Sequence, residues 1–525
     1  MKNSLLAFIK KHFLFVCLLT GYAFLGLVNL DRLPIAWTDE IQHLDPVFNY
    51  FKYHQFYSKI WPNPGADEQF ASYPPLITNI HLVFLQVLPK TLFFTRLPFL
   101  IANILTLIIL YRVLQQHAIG KSTLWIFSLT TLFILDKSVF EIGKSMRIEP
   151  WIWFLIICGI YTILNIEKSR NRILLSLISG FLLIAHIYVW PLVLFWIVVA
   201  IILPQNNASI KFKSLQIFLF LLPTIITYLW LNIPPKTIIH QLLFQSSKHA
   251  SSENTYWQVF QYFWGKFWPY YFEQPLTPFI FIGVLLKLII DSKKVKFSDT
   301  KSIITLSFLI LVSSHALLLS PHIRYFGTHW LFVIILLSFW FNPSEINKIV
   351  PFTHIKSRIR LINLSKLGLI SYLVLIFASF IIRHSIAIFQ RNDRNPAKAF
   401  QFLDKHVADS NSQKIQKTVI FGEPIVDYYA VNRTDIEFGL AFYPEHWTFQ
   451  PSDHKYLVFH KAKPHQLPFL TVIDSTGLPE NNLPKSLQKL GRAHTYRNTY
   501  LYQINTKAEW DSFFSPRKME EINGK

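Results

Sequence analysis

The chain has 525 residues, of which 52% are hydrophobic, and it carries 48 Phe, 15 Trp and a formal net charge of +21. Apolar stretches long enough to cross a bilayer recur from the N-terminus to about residue 389, which excludes an ordinary soluble globular protein. The basic residues lie mainly in short loops between these stretches. The positive-inside rule produces this distribution, so the positive charge indicates the membrane topology. It is therefore not interpreted as a binding surface for nucleic acid.

The N-terminal segment predicts an uncleaved signal anchor. Lys2, Lys10 and Lys11 precede an apolar run, and no convincing small-residue cleavage site follows before Asp31-Arg32. Neither cysteine implies a disulfide framework, because both lie in apolar segments.

The hydropathy pattern predicts about eleven transmembrane helices, since a bilayer core of about 30 Å needs roughly 20 apolar residues. The predicted spans are 12–30, 93–113, 122–137, 150–166, 173–187, 190–204, 215–233, 276–290, 302–320, 326–342 and 367–389. The run Leu76–Pro89 is too short to cross and predicts an interfacial or re-entrant helix. Counting it as a span would reverse every later loop and place the basic loops outside.

This topology puts the N-terminus in the cytoplasm and the C-terminal tail outside. Residues 1–390 are expected to form an all-α polytopic membrane domain with juxtamembrane helices in its first outer loop. Residues 391–525 have ordinary polarity, with apolar runs at Thr418–Phe421 and Tyr456–Phe459 between turn residues. They predict a small extracytoplasmic α/β domain.

The first outer loop contains the acidic pair Asp39-Glu40, about nine residues past the first apolar segment. Two adjacent carboxylates at the mouth of a span are costly unless water, a cation or a substrate compensates them. A cap at the start of a surface helix is the alternative interpretation. The later segment Tyr73-Pro74-Pro75-Leu76, which opens a short amphipathic run, favours a functional site.

The second predicted outer loop, 136–149, carries mixed charges between apolar spans. Lys144, Arg147 and Glu149 precede Pro150, which suits the first turn of the next helix. A solvated interfacial loop would look the same. The pattern is equally what a phosphate site with a facing carboxylate requires.

Two further outer segments carry candidate residues. Arg324-Tyr325 supplies an Arg at the end of a span, where it could snorkel to headgroups or bind a phosphate. The loop 234–275 is rich in aromatic residues, which predicts an interfacial belt, with sugar stacking or guidance of a lipid chain as alternatives. His315, His322 and His329 recur every seven residues, but Pro321 breaks any single helix carrying them, so no metal site is predicted.

These motifs, in this order, resemble the glycosyltransferase C superfamily. The resemblance is strongest to the branch that holds protein O-mannosyltransferases and the lipid A aminoarabinose transferase. The motifs that carry it are Asp39-Glu40, Tyr73-Pro74-Pro75-Leu76, Arg96-Leu97-Pro98, Arg147-Ile148-Glu149 and Arg324-Tyr325. Glu149 stands where Asp is common in the family.

The resemblance implies transfer of a sugar from a polyprenyl-phosphate donor to an acceptor hydroxyl on the outer face of the bacterial inner membrane, with inversion. Asp39 would be the general base and Glu40 would help to position the acceptor or sugar. The implied substrate-binding residues are Tyr73, Lys144, Arg147, Glu149, Arg324 and Tyr325. The implied partners are the lipid-linked sugar, a glycan, lipid or protein acceptor, and the bilayer. No obligatory metal is expected, although the acidic cluster could bind a divalent cation.

Other functions remain open at this point. A flippase or transporter for lipid-linked sugars is the main alternative, but such proteins place charges or broken helices at mid-membrane. Here the span interiors are nearly free of charge and the acids gather at one face. An O-antigen ligase or polymerase lacks an Asp-Glu pair in its first loop, and a purely structural scaffold leaves the pair unexplained.

Overall fold

The computed structural model describes most of the predicted membrane domain and the core of the C-terminal domain. The described ranges are 12–28, 30–32, 38–58, 69–71, 74–118, 123–202, 209–241, 299–318, 325–340, 396–407, 417–422, 425–430, 435–439, 449–451, 454–460, 464–476 and 499–514, with a few separate positions between them. The predicted span 367–389 and most of 276–290 lie outside the described residues.

The first part of the chain is helical. Its α-helices are α1 Phe13–Leu27, α2 Thr38–Tyr53, α3 Leu76–Leu85, α4 Leu92–His117, α5 Thr123–Ile134, α6 Lys137–Ile142, α7 Glu149–Ile163, α8 Ser169–Leu183, α9 Trp190–Ile202, α10 Ile210–Trp230, α11 Thr300–Leu318 and α12 Phe326–Trp340. A 3₁₀ turn, Ile187–Val189, separates α8 from α9. Nine of these twelve described helices, all except α2, α3 and α6, coincide within a few residues with the spans predicted from 12–30 to 215–233, at 302–320 and at 326–342.

Two of the described helices, α4 and α10, are long and apolar enough to cross a membrane by length and composition. At 1.5 Å per residue, α4 with 26 residues and α10 with 21 residues reach about 39 and 32 Å. The other apolar helices, with Thr300–Ser314 counted for α11, have 10–17 residues in the part of the chain that the structure describes. The count of about eleven spans therefore stays a prediction.

Helix α3 is the short helix that the sequence predicted for the run after Pro75. Its 10 residues extend about 15 Å, which is half of a bilayer core. It packs against α4 with Ile77, Ile80 and Leu82 buried. It thus packs beside the helix bundle, and its length agrees with the prediction of a helix too short to cross a membrane.

The C-terminal part forms a five-stranded mixed sheet in the order β2-β1-β3-β5-β4. Its elements are α13 Pro396–Val407, β1 Lys417–Gly422, α14 Ile425–Ala430, β2 Ile436–Gly439, β3 His454–His460, β4 Thr471–Ser475, β5 Tyr500–Ile504 and α15 Lys507–Phe513. Strand β1 pairs in parallel with β2 and β3, whereas β5 is antiparallel to β3 and β4. The two apolar runs noted in the sequence lie in β1 and β3.

Successive side chains of a strand point to opposite faces of the sheet, and in β1 and β3 they are buried on both faces, whereas those of the edge strand β4 are largely exposed. Val419 and Phe421 of β1 join a cluster with Trp510 of α15. Ile420 points to the opposite face and belongs to one continuous core that also contains Leu403 of α13 and the membrane helices. The sheet is therefore packed onto the helical part of the molecule through α13 and α14.

Candidate functional site

The acidic pair lies in the first turn of α2, and Glu40 is fully buried there. Its Oε2 atom accepts a hydrogen bond of 2.7 Å from Nη2 of Arg96, which is also fully buried. Arg96 donates a second hydrogen bond, 3.0 Å long, to the carbonyl oxygen of Leu30. Arg96 thus ties two points in the first part of this loop, Leu30 and Glu40, to the start of α4.

The second outer loop meets the first at the same carboxylate. The backbone N–H of Met146 donates to Oε1 of Glu40 at 2.6 Å. We call the arrangement of Glu40, Arg96 and the Met146 amide the carboxylate clamp. Asp39 precedes Glu40 in α2, so its backbone lies beside the junction of the two loops; its side chain lies outside the described residues.

The second outer loop is held in a compact form. The side chain of Asp136 caps α6 by accepting from the backbone N–H groups of Ser138 and Val139, at 2.9 and 3.2 Å. Gly143 ends the helix against α4, where Asn103 Nδ2 donates to the carbonyl oxygen of Val139 at 3.1 Å. A Cβ atom on Gly143 would overlap both the Asn103 amide and that carbonyl oxygen. The close approach of loop and helix requires glycine.

Three candidate substrate-binding residues are buried directly after this turn. Lys144, Arg147 and Glu149 are each 5% exposed or less. The Lys144 Nζ atom lies 4.3 Å from the ring centroid of Phe140, a cation–π arrangement. Glu149 is the first residue of α7, where the positive end of the helix dipole favours a carboxylate. Two cations held in a dry loop next to an acid are suited to binding an anionic phosphate.

Tyr325 lies in a second polar cluster. Its hydroxyl is 3.4 Å from Nε2 of His186, and its ring packs on Tyr188 with a centroid distance of 4.5 Å. Nδ1 of His186 accepts from the backbone N–H of Tyr188 at 3.3 Å. Accordingly the proton of a neutral His186 lies on Nε2, facing the Tyr325 hydroxyl. The assignment gives Tyr325 a hydrogen-bonding partner at its hydroxyl end.

Hydrogen bonds connect this cluster to the other outer segments. Thr328, one turn after Tyr325, accepts from Nε1 of Trp153 at 3.0 Å, and Trp153 lies one turn after Glu149 on α7. The backbone N–H of Leu76, at the end of the Pro-Pro-Leu motif, donates to the carbonyl oxygen of Ile184 at 2.9 Å. The starts of α3, α7 and α12 therefore meet at one end of the bundle.

His186 is a polar site residue that the sequence analysis missed. It lies at the end of the predicted span 173–187, shortly before the predicted span 190–204. A signal was present, because a lone His followed by Tyr188 and Trp190 interrupts two apolar runs. Of the remaining candidates, Tyr73 and Arg324 lie outside the described residues.

A second histidine lies behind the clamp on α3. His81 is fully buried, with Nε2 3.3 Å from the carbonyl oxygen of Thr95. Burial, reinforced by nearby His43, lowers the pKa of His81 to about 3. It is neutral at physiological pH and adds no charge beside Arg96.

The comparisons with known proteins point to one fold. No family model and no curated protein matches the sequence. The structure is similar to ArnT from Cupriavidus metallidurans bound to undecaprenyl phosphate, with a TM-score of 0.56 and 10% identity over 95% of this chain and 99% of that one. It is also similar to the apo state of the same protein, with a TM-score of 0.58 and 9% identity over 94% and 98% of the two chains.

ArnT is the lipid A aminoarabinose transferase, which has the glycosyltransferase C fold. The likeness extends over nearly the whole of both chains, so it includes the helical part and the C-terminal sheet together. This chain therefore has the fold of ArnT, and the resemblance to the glycosyltransferase C superfamily that its motifs indicate is confirmed at the level of the fold.

Proposed function

We propose that the protein is a membrane glycosyltransferase that moves a sugar from a polyprenyl-phosphate donor to an acceptor hydroxyl on the extracytoplasmic face. The observation that carries the proposal is the ArnT-like fold over 95% of the chain, because one of the ArnT structures is bound to undecaprenyl phosphate. The buried charged residues near the junction of the two loops support the proposal, because cationic side chains there suit a lipid phosphate.

In this proposal Asp39 is the general base. It takes the proton of the acceptor hydroxyl while the hydroxyl oxygen forms its bond to the anomeric carbon. The bond from that carbon to the phosphate oxygen breaks, and its electron pair leaves with the lipid phosphate. A single displacement of this kind inverts the anomeric configuration.

The other candidate residues act around that step. Glu40 is committed to the carboxylate clamp, so we assign it the positioning of α2 and of Asp39. Lys144 and Arg147 stabilise the leaving phosphate together with Arg324. Glu149 positions the sugar or acceptor, and Tyr73 and Tyr325 are the further substrate-binding residues of the proposal.

We propose that catalysis has no obligatory metal ion, because fixed cationic side chains alone can stabilise the charge of the leaving lipid phosphate. The acidic residues of the first loop could still hold a divalent cation. Turnover in the presence of EDTA tests this: unchanged kcat after chelation is the expected result. Loss of kcat that added Mg²⁺ or Mn²⁺ restores would assign the acids to a metal site instead.

The activity itself is tested with purified protein in detergent or nanodiscs and a panel of synthetic polyprenyl-phosphate sugars. The expected result is release of free polyprenyl phosphate from one donor, with the sugar moved to an acceptor. A protein that releases no polyprenyl phosphate from any donor, yet carries a lipid-linked sugar across a liposome membrane, would instead be a flippase.

A further inference from the structure

The C-terminal domain sends one side chain into the wall of the candidate site. Tyr428 of α14 is 7% exposed, and its ring packs edge-on against Phe48 of α2 with a centroid distance of 5.6 Å. Its hydroxyl lies 3.0 Å from Sδ of Met146 and 3.1 Å from Oγ1 of Thr95. A residue of the soluble domain therefore touches α2, α4 and the second outer loop at once.

The residues that the hydroxyl contacts are the supports of the carboxylate clamp. Thr95 precedes Arg96, whose guanidinium binds Glu40. Met146 supplies the backbone N–H that completes the coordination of the same carboxylate. A shift at either contact is transmitted over one residue to Glu40, and Asp39 follows because both acids lie in the same helical turn.

The hydrogen bonds around Tyr428 determine which atoms accept the proton of its hydroxyl group. A hydroxyl group has one proton to donate, and Thr95 Oγ1 lies 2.9 Å from the carbonyl oxygen of Leu92, to which it donates. The Tyr428 proton is then shared between Thr95 Oγ1 and Met146 Sδ. Met side chains are flexible, so this contact fixes one rotamer of Met146 beside the clamp.

A second contact joins the same elements. Nζ of Lys52, at the far end of α2, donates to the carbonyl oxygen of Arg433 at 2.6 Å. Arg433 in turn binds Asp404 of α13 at 2.8 Å and Asp435 at 2.8 Å. The C-terminal domain thus contacts α2 directly at Phe48 and Lys52, in the last part of the helix.

We propose that Tyr428 is a positioning residue, through which docking of the C-terminal domain fixes Met146, the carboxylate clamp and the orientation of Asp39. The proposal rests on the proposed function for its catalytic consequence, but its structural consequence is independent of the reaction. In this proposal the C-terminal domain helps to complete the site through Tyr428, independently of any contact between that domain and the substrates.

The first test compares Tyr428→Phe with wild type and with Tyr500→Phe, which deletes the same atom on β5, two strands away from β1. Loss of a positioning hydrogen bond is expected to lower kcat roughly five- to tenfold and to leave KM for the donor within about twofold. Tyr500→Phe is expected to match wild type. An unchanged kcat for Tyr428→Phe would contradict the proposal.

A double-mutant cycle tests whether Tyr428 acts through Met146. Met146→Leu keeps the volume of the side chain and removes the sulfur acceptor. If the two residues act together, Tyr428→Phe combined with Met146→Leu loses no more kcat than the worse single variant. Losses that multiply would show that the two side chains act independently and would overturn the assignment.

Hydrogen–deuterium exchange separates this inference from the proposed function. Peptides covering 38–50 and 143–149 are expected to exchange faster in Tyr428→Phe than in wild type or Tyr500→Phe. If wild type turns over no donor, the proposed function fails and this comparison alone decides the role of Tyr428. Equal exchange of these peptides in all three proteins would overturn the inference whether or not the protein is active.

Discussion

The pair of Glu40 and Arg96 shows how single residues build this site. A carboxylate without access to water is stable only with a cation and further hydrogen bonds around it. Glu40 has both, from Arg96 and from the Met146 amide. Since breaking a buried pair leaves an uncompensated charge, these residues are expected to be among the most sensitive in the described part of the chain.

Replacing Arg96 by Met should lower the free energy of unfolding by about 3 to 5 kcal/mol, because Glu40 is left charged and buried. Thermal unfolding in detergent measures the effect. The control is the double variant with Glu40→Leu and Arg96→Met, in which both charges are gone and much of the lost stability should return. Equal midpoints for wild type and Arg96→Met would contradict a buried ion pair.

A second prediction concerns the close approach at Gly143. Gly143→Ala should lower the thermal midpoint and the turnover, at a cost of about 1–3 kcal/mol, because the added methyl group meets a backbone oxygen that cannot move aside. Gly21→Ala is the matched control, since a Cβ atom there has no heavy atom within 4 Å. Identical behaviour of the two variants would show that the second loop is not packed against α4 as described.

At the scale of elements, the outer segments are held together by links that join different loops. Helix α2 is bound to α4 through Glu40, and the second loop is bound to α2 through the Met146 amide. Gln241 adds a further link, because its side-chain amide pairs with both the N–H of Ala71 and the carbonyl oxygen of Gln69. These contacts hold the segments against one another and against the bundle.

The segment between α14 and β2 gives a pH-dependent prediction. The hydrogen bond from Arg433 lowers the pKa of Asp435 below its ordinary value. A carboxyl group whose pKa is lower in the folded state stabilises the protein at pH values above its pKa in the unfolded state. This stabilisation is lost as the pH falls through the pKa of the folded state. Exposed ion pairs contribute about 0.2–1 kcal/mol to the free energy of unfolding. Arg433→Met should therefore lower the thermal midpoint slightly at pH 7.

The difference between wild type and Arg433→Met should shrink as the pH falls below about 4, near the ordinary pKa of an aspartate. Thermal scans from pH 7 to pH 3 check this. Asp474→Asn serves as a control, because its carboxylate has a lowered pKa through contacts that do not involve Arg433. A difference that grows on acidification would contradict the assigned direction of the shift.

The elements were predictable where one local property decides the structure. Runs of apolar residues predicted the positions of the described helices, and the shortness of Leu76–Pro89 predicted α3. Continuous apolar runs between turn residues located β1 and β3. The spanning of a membrane by most of these helices, and the boundary near residue 391, stay predictions.

The pairings within the site could not be predicted in the same way. Arg96 was noted only as the start of an Arg-Leu-Pro motif, because its partner Glu40 lies 56 residues away in sequence. Tyr428 lies 282 residues from Met146 and belongs to a domain that the motifs do not cover. Such contacts follow from the packing of whole elements, which hydropathy and spacing do not encode.

At the scale of the whole molecule, the two parts of the chain share one hydrophobic core. The cluster that contains the helical bundle also contains Leu403 of α13, Tyr428 of α14 and Leu457 of β3. The sheet is therefore built onto the bundle, on the side where α2 carries the acidic pair. This arrangement places the C-terminal sheet beside a site that, in the proposed function, receives a lipid-linked sugar from the bilayer.

The central claim is that Asp39, at the junction of the two outer loops, removes the proton of the acceptor in transfer from a polyprenyl-phosphate sugar. The most direct measurement is release of polyprenyl phosphate from such a donor by wild type, Asp39→Asn and the matched control Asp31→Asn, all shown to be folded by thermal unfolding. The account predicts turnover by wild type and Asp31→Asn and none by Asp39→Asn. Full turnover by Asp39→Asn would contradict the claim and move the search for the base to Glu149.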